Sequence, residues 1–319
     1  SLKELAGDAA LLAMEDADIG YPEALFVGNM MAITANKQAQ LGTMMSDWLG
    51  FHHKPGLAIE AACGSGAAAF RAGLIAIASG EIESALIIGV EKMTDSPAAE
   101  ITASLATAAD AELESDFGLS FVAINALIMQ RYMYEYGWRH ADFAEFSVNA
   151  HANGSHNPCA RFQKAISRQA FLDAPMVSDP INLMDASPIG DGAAAIILTS
   201  QPIKRPFPQV FVAGSSSCTD TISVQTRKNP TFLTAAANSA KLAYAQAGIG
   251  PKDIGVFEYH DAFSIMAALS LEACGFAEPG QGPRLALDGK INFDSEIPVA
   301  TMGGLKARGH PVGATGIYQ

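Results

Sequence analysis

The sequence is poor in cysteine, with four in 319 residues: Cys63, Cys159, Cys218 and Cys274. No two of them are close enough along the chain to form a CxxC pair, the usual half of a zinc site or a redox motif. Residues 1–8 begin an amphipathic helix and do not resemble a signal peptide. We therefore expect a reduced, cytoplasmic protein without a disulfide framework and without a metal site.

Positive charge is also scarce. The 20 Lys and Arg residues stand against 33 Asp and Glu, for a net charge of −13. This balance argues against nucleic acid and anionic membrane surfaces as main partners. The longest apolar runs are interrupted by Gly, Glu or Asp before they reach a bilayer-spanning length, so we expect no transmembrane helix. Since 49% of the residues are hydrophobic and only 17% charged, the chain can bury a large core and a subunit interface.

What the chain does contain is an alternation of short apolar strands and helices. The predicted elements of the first part are helices at 2–17, 38–49 and 64–79 and strands at 24–27, 57–62, 84–90 and 193–199. Strand, helix and strand at this spacing are typical of a parallel βαβ unit. The aromatic-rich residues 93–179 predict an inserted, mostly helical subdomain, and the prolines of residues 201–208 predict a linker.

A second series with the same layout follows the linker. It comprises strands at 210–213, 254–258 and 297–300 and helices at 232–247 and 262–274. The α/β chain therefore divides into an N-terminal half (1–92 with 180–202), the insertion (93–179) and a C-terminal half (203–319). Because it opens on a helix and closes where a helix should begin, we expect both ends to be incomplete.

Cys63 lies where an apolar strand meets a helix of very small residues. Backbone N–H groups at a helix start carry partial positive charge, which favours a thiolate. The thiolate is the nucleophilic form, so Cys63 is a candidate for covalent catalysis. The alternative, a buried cysteine that serves as a small hydrophobic residue, stays open on spacing alone.

Two histidines also follow predicted strands. His260 ends a buried strand where a helix begins, and His310 lies in the glycine-dense residues 303–316, next to Pro311. Ligands bind at the carboxyl ends of strands in parallel α/β sheets, and glycines let the backbone approach a ligand closely. A lone histidine is usually structural, but both strands should end near the strand that carries Cys63. We therefore predict that a cysteine and two histidines converge.

These residues resemble the thiolase family. The resemblance rests on Ala62-Cys63-Gly64-Ser65-Gly66, Ser187-Pro188-Ile189-Gly190-Asp191-Gly192-Ala193-Ala194-Ala195, His260-Asp261-Ala262-Phe263 and Gly304-Leu305-Lys306-Ala307-Arg308-Gly309-His310-Pro311-Val312-Gly313-Ala314-Thr315-Gly316. The form is most similar to archaeal acetyl-CoA acetyltransferases and sterol-carrier-protein-type thiolases, because His-Asp-Ala-Phe replaces the common Asn-Glu-Ala-Phe. The resemblance implies duplicated βα halves in a layered α-β-α-β-α arrangement with an inserted, mostly helical loop subdomain.

The resemblance also implies a role for each site residue. Cys63 would accept the acyl group, and His310 would take the thiol proton and then help to bind the thioester oxygen. His260 would help to form that oxyanion site, and the Cys63 backbone N–H would contribute to a second one. The reaction would be the reversible Claisen condensation of two acetyl-CoA to acetoacetyl-CoA, or the thiolysis of a 3-ketoacyl-CoA. Coenzyme A thioesters would be substrates, and no cofactor would be needed.

Coenzyme A phosphates need basic groups, and the spacing of Arg161, Lys164 and Arg168 predicts one basic helical face. An ordinary solvated face is the alternative reading, and Arg227 with Lys228 is a second candidate. The resemblance further implies a homodimer or tetramer in lipid metabolism. The partners it implies are a small OB-fold protein with a zinc ribbon and hydroxymethylglutaryl-CoA synthase.

One expected residue has no counterpart. Thiolases carry a second catalytic cysteine in a C-terminal Cys-x-Gly motif, which residues 1–319 lack, and the position of a related cysteine is Ala262. The acid/base residue is therefore unassigned, with Cys218 and Cys274 as possible stand-ins. Two alternatives stay open: another condensing enzyme of the same fold, or a non-catalytic, partner-dependent coenzyme A-binding subunit.

Overall fold

A computed structural model describes residues 1–203 and 208–319. Its strands are β1 (Ala24–Gly28), β2 (Gly56–Ile59), β3 (Ser84–Glu91), β4 (Met176–Ser178), β5 (Ile181–Asn182) and β6 (Gly192–Thr199). Its α-helices are α1 (Leu2–Ala17), α2 (Ala32–Ala35), α3 (Leu41–Trp48), α4 (Ser65–Ala78), α5 (Ala98–Ala106), α6 (Phe121–Tyr136), α7 (Ala144–Gly154), α8 (Arg168–Leu172), α9 (Thr234–Ala247), α10 (Ser264–Ala273), α11 (Gly282–Leu287) and α12 (Val312–Tyr318).

The chain divides into two compact units, which are described separately. Unit 1 comprises residues 1–105, 189–211 and 310–319, and unit 2 comprises residues 106–188 and 212–309. Unit 1 contains a four-stranded sheet in the order β2-β1-β3-β6. Strands β2, β1 and β3 are parallel, and β6 runs antiparallel to β3. The predicted parallel βαβ unit is therefore confirmed.

Alternation along β1 sends side chains to two separate cores, as the period of a strand requires. Leu25 and Val27 join Leu86 and Ile88 of β3 under α1 and α3. Phe26 lies on the opposite face of the sheet, in the core that includes residues of α4. Helices therefore cover both faces of the sheet, which is why β1 is apolar at every position.

The small residues of α4 allow a second helix to approach it closely. A Cβ on Gly66 would lie 2.6 Å from the carbonyl oxygen of Gly313, at the start of α12. A Cβ on Gly316 would lie 2.4 Å from the backbone nitrogen of Ala67. Real Cβ atoms do not come that close to backbone atoms, so these two positions accept only glycine without a shift of the helices. This contact brings the start of α12 beside the turn that precedes α4.

Unit 2 is mostly helical and has its own core. Helices α6, α7 and α10 contribute Tyr132, Phe146 and Leu269 to it. Nine of the ten residues of α10 are buried, and most of them are apolar. The Tyr132 hydroxyl donates a short hydrogen bond to the Glu272 carboxylate, which also accepts from the Gly282 backbone at 2.8 Å. The helices of the predicted insertion thus share one core with α10.

The strands predicted for the C-terminal half are largely wrong as regular elements. Residues 254–258 and 297–300 form a single bridge, between Phe257 and Val299. Residues 210–213 form no strand, and Val210 is 90% exposed. Apolar composition favours a strand, but only a backbone partner makes one, and local sequence does not specify that partner. The predicted helices 232–247 and 262–274 are confirmed as α9 and α10, each two residues shorter at its start.

Two remaining expectations concern linkers and membranes. Residues 204–207 of the predicted linker 201–208 lie outside the described residues. Across residues 1–203 and 208–319, none of the helices has both the length and the apolar character needed to cross a bilayer.

Candidate active site

Cys63 lies in the turn between β2 and α4, and its backbone is held in an unusual conformation. Ala62 has a φ of +50°, a region that residues other than glycine rarely occupy. The Ser65 hydroxyl holds this turn, since it accepts from the Ala61 N–H at 2.9 Å and donates to the Ala62 carbonyl at 2.6 Å. Ser65 is fully buried, whereas Cys63 is half-buried. The Cys63 side chain is therefore partly accessible, while the hydrogen bonds of the buried Ser65 hold the backbone of the turn in place.

The partial positive charge at the helix start does not make Cys63 a resting thiolate. Burial raises the pKa of the Cys63 thiol to about 12, with a further contribution from the negative charge of Glu91. A hydrogen bond from the backbone at the helix start lowers the pKa, but by less than burial raises it. Cys63 is therefore a neutral thiol at neutral pH, and a base must remove its proton before it can attack.

His310 is positioned to be that base. It is buried, and one of its ring nitrogens lies within 4.8 Å of the Cys63 sulfur. Its Nδ1 lies 2.7 Å from the hydroxyl of Thr315, which is itself 3.4 Å from the Pro311 carbonyl. When Thr315 donates to that carbonyl, its oxygen accepts the Nδ1 proton, and Nε2 becomes the nitrogen that takes up a proton. Unit 1 thus brings together the predicted nucleophile and a base.

Glu91 supports this arrangement, although sequence reasoning assigned it no role. Its fully buried carboxylate ends β3 and accepts from the Asn29 side chain at 2.8 Å and from the backbone of Met30 at 2.9 Å, Met31 at 3.1 Å and Gly313 at 3.1 Å. It therefore ties the end of β3 to the segment after β1 and to the start of α12. The available signal was a carboxylate directly after a buried apolar strand.

His260 lies in unit 2, after the single bridge made by Phe257 and before α10. Burial, together with the positive charge of Arg308, lowers the pKa of His260 to about 4. The imidazole is therefore neutral at neutral pH. A neutral imidazole can donate an N–H to a developing negative oxygen without losing a proton.

Side chains hold the turn that carries His260. The Asp185 carboxylate accepts a short hydrogen bond from the Ser264 hydroxyl and accepts from the Asn182 backbone at 2.8 Å. It also pairs with Nε2 of His140 at 2.7 Å. The Asp261 carboxylate, next to His260, accepts from the Leu305 backbone at 2.8 Å. Burial raises the pKa of Asp261 to about 6, partly offset by this hydrogen bond and by Arg308.

The three predicted basic residues do not share a helical face. Only Arg168 belongs to a helix, because α8 begins there. Its guanidinium pairs with Glu145 at 2.8 Å, so part of its charge is neutralised. Arg161 and Lys164 are exposed and lie in irregular backbone before α8. The premise of helical spacing was wrong because α7 ends at Gly154 and the turn residues that follow separate it from α8.

The remaining cysteines divide by exposure. Cys159 is exposed, whereas Cys218 and Cys274 are half-buried in unit 2. Burial raises the pKa of Cys274 to about 11. Cys274 ends α10, and its carbonyl accepts from the Tyr244 hydroxyl at 3.1 Å.

Comparison with known families defines the class of protein to which this fold and cysteine–histidine pair belong. The thiolase N-terminal domain model matches residues 1–202, and the thiolase C-terminal domain-like model matches residues 216–319. Together the two models match nearly the whole chain. The chain therefore belongs to the thiolase family.

Individual relatives narrow this class. The chain is 41% identical to the acetyl-CoA acetyltransferase of Methanothermobacter thermautotrophicus, over 100% of this chain and 84% of that protein. Among solved structures, the Ltp2-ChsH2(DUF35) aldolase matches with a TM-score of 0.83 and 22% identity, covering 100% of this chain and 83% of that one. Human mitochondrial 3-ketoacyl-CoA thiolase in complex with CoA matches with a TM-score of 0.72 and 17% identity, with the same coverage. The predicted family, its α/β fold and the acyltransferase class of enzyme are confirmed.

Proposed function

We propose that the chain catalyses the reversible Claisen condensation of two acetyl-CoA to acetoacetyl-CoA and CoA, or thiolysis of a 3-ketoacyl-CoA, through an acyl-cysteine at Cys63. The observation that carries this proposal is the pair of the Cys63 sulfur and a His310 ring nitrogen within 4.8 Å. The identity to an acetyl-CoA acetyltransferase over the whole chain supports the choice of reaction.

The first half-reaction follows from the protonation states of this pair. As a thioester binds, His310 takes the proton of the Cys63 thiol, and the sulfur attacks the thioester carbonyl carbon. The carbonyl oxygen becomes negative in the tetrahedral intermediate and needs fixed hydrogen-bond donors, each worth about 10²- to 10³-fold in rate. The bond to the CoA sulfur then breaks, and the departing thiolate takes the proton from His310. An acetyl group remains on Cys63.

In the second half-reaction, a second acetyl-CoA loses a proton from its α-carbon, and that carbon attacks the carbonyl carbon of the acetyl group on Cys63. The thioester bond to the Cys63 sulfur then breaks, acetoacetyl-CoA leaves, and the Cys63 thiolate takes up a proton. The enolate oxygen again needs donors, and we assign His260 to this class of role because its imidazole is neutral at neutral pH. The base that takes the α-proton stays unassigned, and Cys218 and Cys274 stay predictions for it.

We propose that unit 2 binds the phosphates of coenzyme A through Arg161 and Lys164, which are exposed, with a smaller contribution from Arg168. The competing candidate, Arg227, lines an apolar cavity of about 360 Å³ together with Leu127 and Arg131. Titration of CoA against Arg161→Ala, Lys164→Ala and Arg227→Ala distinguishes them. The proposal requires weaker binding in the first two variants and unchanged binding in the third, and the reverse result would move the site to the cavity.

We further propose a homodimer or tetramer assembled through the edge of the unit 1 sheet. In the described part of the chain, β2 pairs on one side with β1, and Leu57 on it is 54% exposed. An apolar edge strand is a ready template for pairing with a second chain. Light scattering should give a dimer or larger for the native chain and a smaller species for Leu57→Lys. A native monomer would contradict the proposal.

The remaining proposals concern the setting of the protein. A cytoplasmic location, a role in lipid metabolism, and association with a small OB-fold zinc-ribbon protein and hydroxymethylglutaryl-CoA synthase stay predictions. The Ltp2-ChsH2(DUF35) aldolase, a structural neighbour of this chain, is by its name a complex with a second protein, which supports the proposal of a partner. The division at residues 92/93, 179/180 and 202/203 also stays a prediction, which limited proteolysis tests.

Labelling tests the main proposal. Intact-protein and peptide mass spectrometry after incubation with acetyl-CoA should find an acetyl group on Cys63 alone, and acetyl-CoA should protect Cys63 from iodoacetamide. The exposed Cys159 is the internal control, because acetyl-CoA should not protect it. Equal labelling of all four cysteines would support the non-catalytic alternative. Malonyl-thioester condensation without cleavage of acetoacetyl-CoA would support another condensing enzyme.

A further inference from the structure

Three asparagines repeat at every fourth position along and just beyond α7. The side-chain amide of Asn149 donates to the Val299 carbonyl at 3.0 Å. That of Asn153 donates to the carbonyls of Val299 at 3.1 Å and Ala300 at 3.0 Å. That of Asn157 donates to the Met302 carbonyl at 3.0 Å. All three asparagines are buried, and we call Asn149, Asn153 and Asn157 the asparagine clamp.

Backbone contacts extend the asparagine clamp to the far end of the same segment. After Asn157 the chain turns, and its backbone then donates from Phe162 to the Ala307 carbonyl at 2.9 Å and from Arg161 to the Arg308 carbonyl at 3.0 Å. Residues 149–162 therefore hold the segment 299–308 by its carbonyl groups at both ends. Because these hydrogen bonds go to backbone carbonyls, they depend on the backbone conformation of residues 299–308 and not on the side chains of those residues.

The segment needs such support because its own backbone is irregular. Ala300 has a φ of +53°, and Gly303 and Gly309 have φ values of +101° and +110°. Between them, Gly304–Arg308 forms a single π-helical turn. Residues in these conformations persist only where their surroundings hold them.

The shape of α7 fits the segment closely. A Cβ on Gly154 would lie 2.7 Å from the Cβ of Ala307. A Cβ on Gly303 would lie 2.8 Å from the Cα of Gly154. The two backbones can therefore meet only because both positions are glycine, which places the clamp amides within hydrogen-bond distance of the carbonyls.

We infer that Asn153, with Asn149 and Asn157, is a positioning residue for acyl transfer that acts through the backbone of residues 299–309. His310 follows Gly309 directly, so the backbone conformation of residues 299–309 determines the position of the His310 backbone and thereby of its imidazole. The inference rests on the proposed role of His310 as the base for Cys63. A displacement of a catalytic group by about 1 Å can cost 10²-fold in rate.

The test compares two buried asparagines of unit 2. Asn153→Leu removes the donor to residues 299 and 300 at nearly constant volume. The matched control is Asn125→Leu, because Asn125 is equally buried but donates to Phe121 in its own helix, at 2.9 Å. Single-turnover acetylation of Cys63 should slow about 10- to 100-fold in Asn153→Leu, with KM for acetyl-CoA within about twofold of native. The control should acetylate at the native rate.

A second measurement reports on the segment without relying on activity. Hydrogen–deuterium exchange of residues 300–309 should be faster in Asn153→Leu than in the native chain or in Asn125→Leu. Should Asn153→Leu fail to fold, Asn157→Ala is the replacement, because Asn157 lies beyond the end of α7 and contributes one amide contact to the segment.

The outcomes separate the inference from the proposed function. Native acetylation and native exchange in Asn153→Leu would overturn the inference and leave the proposed function intact. A rise in KM with unchanged acetylation would also overturn it, because the clamp would then serve substrate binding. A native chain that never acetylates Cys63 would overturn the proposed function, while the exchange result would still decide whether the clamp holds residues 300–309.

Discussion

Cys63 and His260 occupy similar places in two differently built regions. Each follows an extended segment and precedes a helix. In unit 1 the segment is β2, which pairs with β1 over four residues, and the Ser65 hydroxyl holds the turn that follows. In unit 2 the segment before His260 makes one bridge, and the carboxylates of Asp185 and Asp261 hold the turn instead. The comparison shows that one fold can position two site residues by unlike means.

The two residues agree in their electrostatics. Burial raises the pKa of Cys63 to about 12 and lowers the pKa of His260 to about 4. Both groups are therefore neutral at neutral pH, since burial disfavours whichever form is charged. At the Cys63–His310 pair, charge develops when the Cys63 proton moves to His310. We therefore expect two separate effects. Loss of the proton acceptor His310 should slow acetylation of Cys63, whereas loss of a supporting hydrogen bond should lower the free energy of unfolding.

The largest effect should come from the nucleophile. Cys63→Ala removes the atom that accepts the acyl group, so thiolysis of acetoacetyl-CoA should fall by about 10⁴-fold or more. Rate assays and the acetyl adduct in intact-protein mass spectra measure this. Cys159→Ala, at the exposed cysteine, is the control and should keep native activity. An acetyl adduct in Cys63→Ala would place the nucleophile elsewhere.

Loss of the base should have the next largest effect. His310→Ala should slow acetylation of Cys63 by about 10²- to 10⁴-fold, the usual contribution of a general base. The residual rate should rise about tenfold per pH unit between pH 7 and 10, because the pKa of Cys63 is about 12 and the thiolate fraction rises in that proportion. Acetylation assays quenched at fixed times between pH 7 and 10 measure both the loss of rate and its dependence on pH. A residual rate that is flat with pH would mean that another group removes the proton.

Unit 2 should be sensitive to single polar side chains. Asn182 is buried, donates to the Phe171 carbonyl at 2.7 Å and accepts from the backbone of Met184 at 2.8 Å and Asp185 at 3.0 Å. Asn182→Ala should lower the free energy of unfolding by about 3 kcal/mol, because buried partners lose their hydrogen bonds. Urea denaturation measures this. The exposed Gln130, which donates to the Asp179 carbonyl at 2.8 Å, is the control, and Gln130→Ala should cost less than about 1 kcal/mol. Equal costs would contradict the expected sensitivity of unit 2 to its buried polar side chains.

A smaller effect is expected where Thr315 orients His310. Thr315→Val keeps the shape but removes the oxygen 2.7 Å from Nδ1, so acetylation should slow about tenfold as the ring loses its preferred tautomer. Thr315→Ser keeps the hydroxyl and should restore most of the rate. KM for acetyl-CoA should stay within about twofold in both. An equal loss in Thr315→Ser would show that packing, and not the hydroxyl, is responsible.

The smallest effect should appear in unit 1 as a function of pH. Asp191 accepts from Lys92 at 2.8 Å and from the backbone of Met93 at 2.7 Å. Burial alone would raise the pKa of Asp191, but these and other hydrogen bonds lower it from 3.8 to about 2. Its contribution, about 1 kcal/mol for a partly exposed group, is complete above pH 3.8 and is lost as the pH falls towards 2. In Asp191→Asn the free energy of unfolding should change less between pH 4 and 2 than in the native chain. Parallel curves for the two proteins would contradict this assignment.

The sequence predicted unit 1 well and unit 2 only in part, for a physical reason. The two inner strands of the unit 1 sheet, β1 and β3, are apolar runs with helices on both sides, so their burial is visible in the residues themselves. In unit 2, residues 254–258 and 297–300 are also largely apolar, but they form only one bridge, between Phe257 and Val299. The composition of a segment shows its tendency to be buried, whereas its pairing as a strand depends on residues far away in the chain.

The candidate site shows the same division. Cys63, His260 and His310 were predicted from motifs at strand ends, because close packing and sharp turns require particular residue types there. The neutral state of Cys63, the carboxylate of Glu91 and the asparagine clamp were not predicted. Their effects come from burial and from contacts between segments more than 60 residues apart in the chain, such as Glu91 with Met30 and Asn153 with Val299.

The sequence by itself determined the family, the α/β class, most of the helices, and the residue types available for acyl transfer. Those properties depend on local periodicity and on short motifs. The tertiary structure alone decided which strands pair, how far burial raises the pKa of the Cys63 thiol, and how the segment before His310 is held. Hydrogen bonds and desolvation depend on the neighbours that folding brings together, and no local pattern encodes them.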